Sequence, residues 1–284
     1  MAPPSFADLG KSARDLFSKG FHFGFFKVEA KTKTNGGVEF TTGGSSSHDT
    51  GLFSGSLESK YKWKEHGATL KETWSTDNAL AGELTVEDQL LEGLKLGFET
   101  KLFIASGKKS GKVKTAYKND LVHTTLDFDV MTYGLLGSIV FGHNGFLGGF
   151  QLNYDANKLV DKSLMSQSNV AIGYSKDDLD LFVGVKGCNE YSSSVFHKIH
   201  DDLETGIHLS WLSGTNETAF GFGAKYNIDR DATIKAKVDN SSRVGLSYQQ
   251  KLRPGVTLTL STLVEGKTFT AGGHKFGCAL EFEA

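Results

Sequence analysis

Lys275-Phe276-Gly277-Cys278-Ala279-Leu280-Glu281-Phe282, close to the end of the 284-residue chain, splits cleanly when every second residue is read. Phe276, Cys278, Leu280 and Phe282 are apolar, whereas Lys275, Gly277, Ala279 and Glu281 are small or charged. Side chains alternate across a strand, so one face wants hydrocarbon and the other wants water. The run matches a tilted membrane-crossing strand of roughly 9–11 residues. Cys278 reads as a small hydrophobe on its apolar face, and two cysteines are no disulfide framework.

The same design recurs upstream. Phe26, Val28 and Ala30 alternate with Lys27, Glu29 and Lys31, and Leu57, Tyr61 and Trp63 with Glu58, Lys60 and Lys62. Leu94, Leu96 and Phe98 alternate with Lys95 and Glu99, and Val113, Thr115 and Tyr117 with Lys112 and Lys114. Phe220, Phe222 and Tyr226 alternate with Gly221, Gly223 and Lys225, and Ile234, Ala236 and Val238 with Lys235 and Lys237. Short turns such as Asn35-Gly36-Gly37, Asn144-Gly145 and Arg253-Pro254-Gly255 separate the runs and favour antiparallel neighbours. Strand and turn spacing predicts on the order of 18–20 strands. The alternation fades between Asp155 and Ser166, which reads as a loop.

Gly is 34 of 284 residues and Pro only 3, as many strands with tight turns require. A net charge of −2 carries no footprint of nucleic-acid binding. No apolar run reaches the roughly 18 residues of a spanning helix. A strand-built membrane protein needs none, because only alternate residues face lipid. About eight strands enclose a filled interior, while sixteen or more leave an aqueous channel. The apolar faces then point outward into lipid and the polar faces line the bore. Trp63, Trp74, Tyr117, Tyr154, Tyr174 and Tyr226 fall near strand ends, as interfacial girdles do. Alternation alone also fits a soluble β-rich binding protein without a pore.

The polar faces hold more lysine than acid, and several acids sit in turns: Asp49, Asp177, Asp178, Asp201, Asp202, Asp229 and Asp231. Fixed positive charge around a bore favours anions. Lys31, Lys60, Lys62, Lys95, Lys112, Lys114, Lys235 and Lys237 are the lining lysines on this reading.

The chain divides into residues 1–24 and a strand region, 25–284. Ser5 to Ser18 carry a helical period, with Phe6, Leu9, Ala13, Leu16 and Phe17 on one stripe. Ser5 is a candidate N-cap, with Asp8 three places on as a variant capping box. Gly20 and Gly24 form a hinge. No secretory signal precedes the helix, and Asp8 and Asp15 argue against a cleaved mitochondrial presequence.

Glu72 is the odd residue. It shares a face with Ala68, Leu70 and Trp74, so a carboxylate points at lipid. Intramembrane ionisable side chains are rare and functional by default.

No catalytic constellation, cofactor site or metal site is expected. His197 and His200 are the only close histidine pair, and Gly107-Lys108-Lys109-Ser110 resembles the end of a P-loop without its first glycine. Asn216-Glu217-Thr218 is a glycosylation sequon not expected to be used.

Pro3-Pro4-Ser5-Phe6-Ala7-Asp8-Leu9-Gly10-Lys11, Thr85-Val86-Glu87-Asp88-Gln89, Gly93-Leu94-Lys95-Leu96 and Ala271-Gly272-Gly273-His274-Lys275 resemble the mitochondrial voltage-dependent anion channels, the eukaryotic porins. So do Tyr226-x-x-Asp229, Ala236-Lys237-Val238-Asp239-Asn240 and Gly245-Leu246-x-Tyr248, with Arg230 departing from the pattern. Nineteen is the strand number known for that family. The resemblance therefore implies an all-β transmembrane barrel with its first and last strands parallel and the N-terminal helix inside the pore. Lys11, Arg14 and Lys19 then join the lining set, and Lys11, Lys19 and Lys95 become weak nucleotide contacts. Lys275, Gly277, Leu280 and Phe282 resemble the mitochondrial β-barrel insertion signal. The implied function is a voltage-gated, anion-preferring channel of the mitochondrial outer membrane, passing ATP, ADP and phosphate. The implied partners are membrane lipid, other copies of the chain, hexokinase and apoptosis-regulating proteins, with roles for Glu72 in gating and docking.

Overall fold

The computed structural model describes residues 2–155, 168–215, 217–267 and 272–284. Among these, nineteen strands close into one sheet. The first ten are β1 Phe25–Lys33, β2 Val38–Ser47, β3 Phe53–Trp63, β4 Ala68–Ser75, β5 Ala79–Glu87, β6 Leu94–Phe103, β7 Lys108–Lys118, β8 Val122–Asp129, β9 Gly134–His143 and β10 Phe146–Asp155. The rest are β11 Ser168–Lys176, β12 Leu179–Lys186, β13 Glu190–His200, β14 Leu203–Leu212, β15 Glu217–Asn227, β16 Ala232–Asp239, β17 Arg243–Arg253, β18 Val256–Glu265 and β19 Lys275–Glu283. The loop expected from Asp155 to Ser166 lies, beyond Asp155, outside the described residues, as does Asn216 of the sequon.

Chain neighbours pair antiparallel, and closure is made by β1 and β19 running parallel, Phe26 opposite Cys278 and Lys31 opposite Glu283. Full closure leaves no edge strand with unpaired backbone groups, which is what hydrocarbon demands of a spanning sheet. The turns follow the expected chemistry. Between β9 and β10 only Asn144 and Gly145 remain, at φ 50° and 88°, the left-handed pair that a two-residue hairpin needs. Gly107 begins no phosphate loop, because β7 follows it directly.

Sidedness follows from register. Lys235 and Lys237 of β16 reach the N-terminal segment, so their face is the inner one. Pairing carries that face round the sheet, and Lys225, Lys114, Lys112, Lys95, Lys60 and Lys31 all fall on it. The opposite face carries exposed Phe26, Leu57, Leu84, Phe98, Phe150, Ile172, Phe222, Leu246 and Phe276, the last 77% accessible. A soluble protein does not leave such a continuous apolar skin in water. Trp63, Tyr117, Tyr174 and Tyr226 lie on the outer face near the mouth where β1 ends, and Trp74 and Tyr154 near the mouth where β1 begins. No helix among the described residues is long and apolar enough to cross a membrane.

Candidate pore and its N-terminal segment

The helix expected over Ser5–Ser18 is two pieces: a 3₁₀ turn at Phe6–Asp8 and an α-helix, α1, at Lys11–Ser18. Gly10 breaks it, at φ 66°. A side chain there would be strained, and its Cβ would stand 2.8 Å from the Phe182 ring. The break frees Leu9 to enter a pocket with Val140 and Ala171, flanked by Phe6, Leu147 and Phe182. Leu9 and Leu16 are 2% and 4% exposed, and burying each contributes about 1.5–3 kcal/mol to docking. The capping box is also altered. The Ser5 hydroxyl donates to the Asp8 carboxylate at 2.6 Å and caps no backbone N–H; the Asp8 N–H goes to the Ser5 carbonyl at 3.0 Å instead.

The apolar stripe lies on inward glycines. A Cβ at Gly149 would stand 2.8 Å from Phe6, one at Gly206 2.8 Å from Leu16, and one at Gly223 3.0 Å from Phe17. Their missing side chains form the bed of the segment, running diagonally from β9 to β15.

The linker is tied to the wall. The Ser247 hydroxyl donates to the Gly20 carbonyl at 2.6 Å, the His22 N–H to the Ser261 hydroxyl at 3.0 Å, and the Gly24 N–H to the Phe276 carbonyl at 2.9 Å. Gly20 and Gly24 sit at φ 81° and 75°, so the hinge positions hold conformations that glycine alone adopts freely. Sequence reasoning missed the glycine bed and these serines; glycine and serine at inward positions of β9 to β18 were the available signal.

Burial lowers the affinity of His22 for a proton, and Lys27 adds to it against the opposite pull of Glu281 and Glu29. A group depressed in the docked state supports docking above its free value of 6.5 and loses that support as pH falls through the lowered one. Docking is therefore expected to be flat from pH 8 to about 6.5 and to weaken below it. The His22→Gln variant lacks that step. Protease accessibility of residues 2–24 against pH, in both proteins, checks this.

Charge in the bore is largely paired. Lys114 meets Glu99 at 2.5 Å, Lys95 meets Glu87 at 2.6 Å, Lys31 meets Glu29 at 2.9 Å and Lys71 meets Glu58 at 2.9 Å. On the segment, Lys11 pairs with Asp8 at 2.9 Å and Lys19 with Asp15 at 2.6 Å, while Arg14 donates to the Ala7 carbonyl. Lys11, Lys19 and Lys95, the expected weak nucleotide contacts, thus each already hold an acid. Lys60, Lys62 and Lys112 show no ion pair among the described residues and are the freest positive charges of the predicted set. Of the turn acids named above, all but Asp49 lie at the mouth where β1 ends; Asp49 lies at the other and binds Lys275.

On the outer face Glu72 stands between Ser59 of β3 and Gly82 of β5, exposed to lipid. Glu58 and Glu99 face water and lysine. An apolar carbodiimide concentrates in lipid, so it is expected to modify Glu72 far faster than Glu58 or Glu99. Mass spectrometry of the labelled peptides checks this; equal labelling removes the special position of Glu72. In the stretch that resembles an insertion signal Lys275 and Gly277 face inward, and Leu280 and Phe282 face lipid.

A closed wall of this size with a polar bore and a segment docked in it is a channel architecture. Residues 2–277 match the family model described as eukaryotic porin. The chain belongs to the eukaryotic porin family. This porin is 51% identical over 99% of its length to a golden hamster (Mesocricetus auratus) protein, covering 95% of that relative, named non-selective voltage-gated ion channel VDAC2. It is 50% identical, with the same coverage, to the human protein of that name. Among solved structures, a mutant of the Rh. blastica porin aligns with a TM-score of 0.52 over 90% of this porin and 94% of the bacterial chain. At 12% identity that likeness shows the barrel fold alone.

Proposed function

We propose that this porin is a voltage-gated channel of the mitochondrial outer membrane, passing ATP, ADP, phosphate and other small ions and metabolites with a preference for anions. The sidedness of the wall carries the reading: apolar on the outer skin, lysine-bearing on the bore, closed throughout. The curated relatives are named voltage-gated channels, which supports the same function. The word non-selective in their names agrees with the pairing seen here. Most wall lysines are in ion pairs, so the preference is mild and rests on Lys60, Lys62 and Lys112. Lys60 and Lys112 have acids across the ladder, but none of the three forms an ion pair among the described residues. The mitochondrial address rests on the insertion-signal resemblance of β19. Hexokinase and apoptosis-regulating proteins are the partners we assign to the lipid-facing surface at Glu72.

Planar-bilayer recording across a salt gradient tests this. Stepwise conductance with an anion-side reversal potential is expected. Replacing Lys60, Lys62 and Lys112 with Gln shifts that potential towards the cation side. A refolded protein that stays soluble without detergent and conducts nothing is a β-rich binding protein instead.

A further inference from the structure

Two of the predicted field lysines do something else in the fold. Lys237 donates from its Nζ to the Phe17 carbonyl at 2.6 Å, and Lys235 to the Lys19 carbonyl at 3.1 Å. Phe17 lies in the last turn of α1 and Lys19 is its C-cap. Carbonyls at that end have no partner within the helix and carry the negative pole of its dipole. The Lys237 ammonium also lies 4.2 Å from the centre of the Phe21 ring and 5.2 Å from that of Phe23. Opposite Lys237 across the ladder is Gly245, where a Cβ would stand 2.7 Å from Phe23 and 3.0 Å from the lysine stem. The site is built to let one cation, two rings and a helix end converge. Neither lysine makes an ion pair among the described residues.

We infer that Lys237, seconded by Lys235, is the positioning residue that latches the N-terminal segment to the wall by binding the carboxyl end of α1 and the Phe21 and Phe23 rings. The inference rests on the pore reading for its consequence and on contact geometry for its substance. A cation over a ring gains most when desolvated, and Lys237 is half-buried. Its strength as a latch comes from charge on neutral dipoles and π-faces. An acid partner would compete for it, but Asp239, two places on along the same face, is engaged by Arg243 at 2.7 Å.

The test reads docking directly. Ala13 is 2% exposed beneath the helix, so an Ala13→Cys thiol is shielded while the segment is docked. The parent carries Cys188→Ser and Cys278→Ala, to silence the native thiols. Its reaction with a charged methanethiosulfonate is timed in detergent or liposomes. Lys237→Met keeps the stem and removes the charge, and is expected to speed the reaction about tenfold. Lys237→Arg retains a planar cation that can donate to the carbonyl and stack on the rings, and returns the rate towards the parent's. An unchanged rate in Lys237→Met overturns the latch, and so does a fast rate that Lys237→Arg fails to slow. If Lys237→Met does not refold, Phe21→Leu with Phe23→Leu removes the rings, and an unchanged rate there overturns the inference equally. Conductance of the parent is recorded separately. A parent that never conducts sinks the pore reading while the latch remains measurable.

Discussion

Joining Leu16→Cys to Gly206→Cys by a disulfide is expected to abolish voltage-dependent closure while the open pore still conducts. The pair is chosen by contact: a Cβ at Gly206 would lie 2.8 Å from the Leu16 side chain, so the bridge forms with the segment where it already rests. A movable segment carries the charges of Lys11, Arg14 and Lys19 against Asp8 and Asp15, one more base than acid. One charge crossing the whole potential is worth about 2.3 kcal/mol per 100 mV. That suffices to shift a two-state equilibrium by tens-fold, and the bridge removes it. Reduction with a thiol should restore closure in the same channel. Closure that survives oxidation unchanged shows that the wall, and not the segment, carries the gating motion.

Gly277→Ala is expected to undock the linker, raising protease cleavage within residues 2–24 by about a hundredfold, the loss of two or three hydrogen bonds. A Cβ at Gly277 would stand 1.6 Å from the His22 carbonyl, a contact that backbone cannot yield to in place. The linker would have to lift, giving up the Ser261 and Phe276 bonds together. Gly277 also belongs to the stretch that resembles the insertion signal. The measurement therefore belongs on protein refolded in detergent, where no insertion machinery acts. Continued protection of the segment there overturns the docking role of Gly277.

The barrel was legible where lipid and water disagree most. In β1, β3, β6, β7, β15 and β19 the outward residues are mostly large and apolar and the inward ones mostly charged or small, so a period of two stands out. It was faint in β2, whose outward positions decline from Val38 and Phe40 to Gly44 and Ser46. It was masked in β9, because inward Leu136 and Val140 are also apolar. Val140 is apolar because it packs against Leu9 of the N-terminal segment and not against water. In β13 the run Ser192-Ser193-Ser194 hid a strand in the middle of the wall. The lining lysines were readable from parity, yet their roles were not. Parity places Lys112 and Lys237 on the same face, and only the third dimension shows one without an ion pair among the described residues and the other spent on a helix end. The close approach of Phe182 to Gly10 was equally out of reach, since Phe182 lies far along the chain.

Pro3 packs against Gly142 and its carbonyl lies 3.3 Å from the His123 ring, beside the same rim where the Ala284 N–H binds the Lys31 carbonyl. An odd strand number alone would send the two termini to opposite compartments, but the retraced segment brings both to one. Epitopes fused to the two ends should thus be reached by antibody from a single side of a sealed vesicle, and release of the segment would hand one of them across.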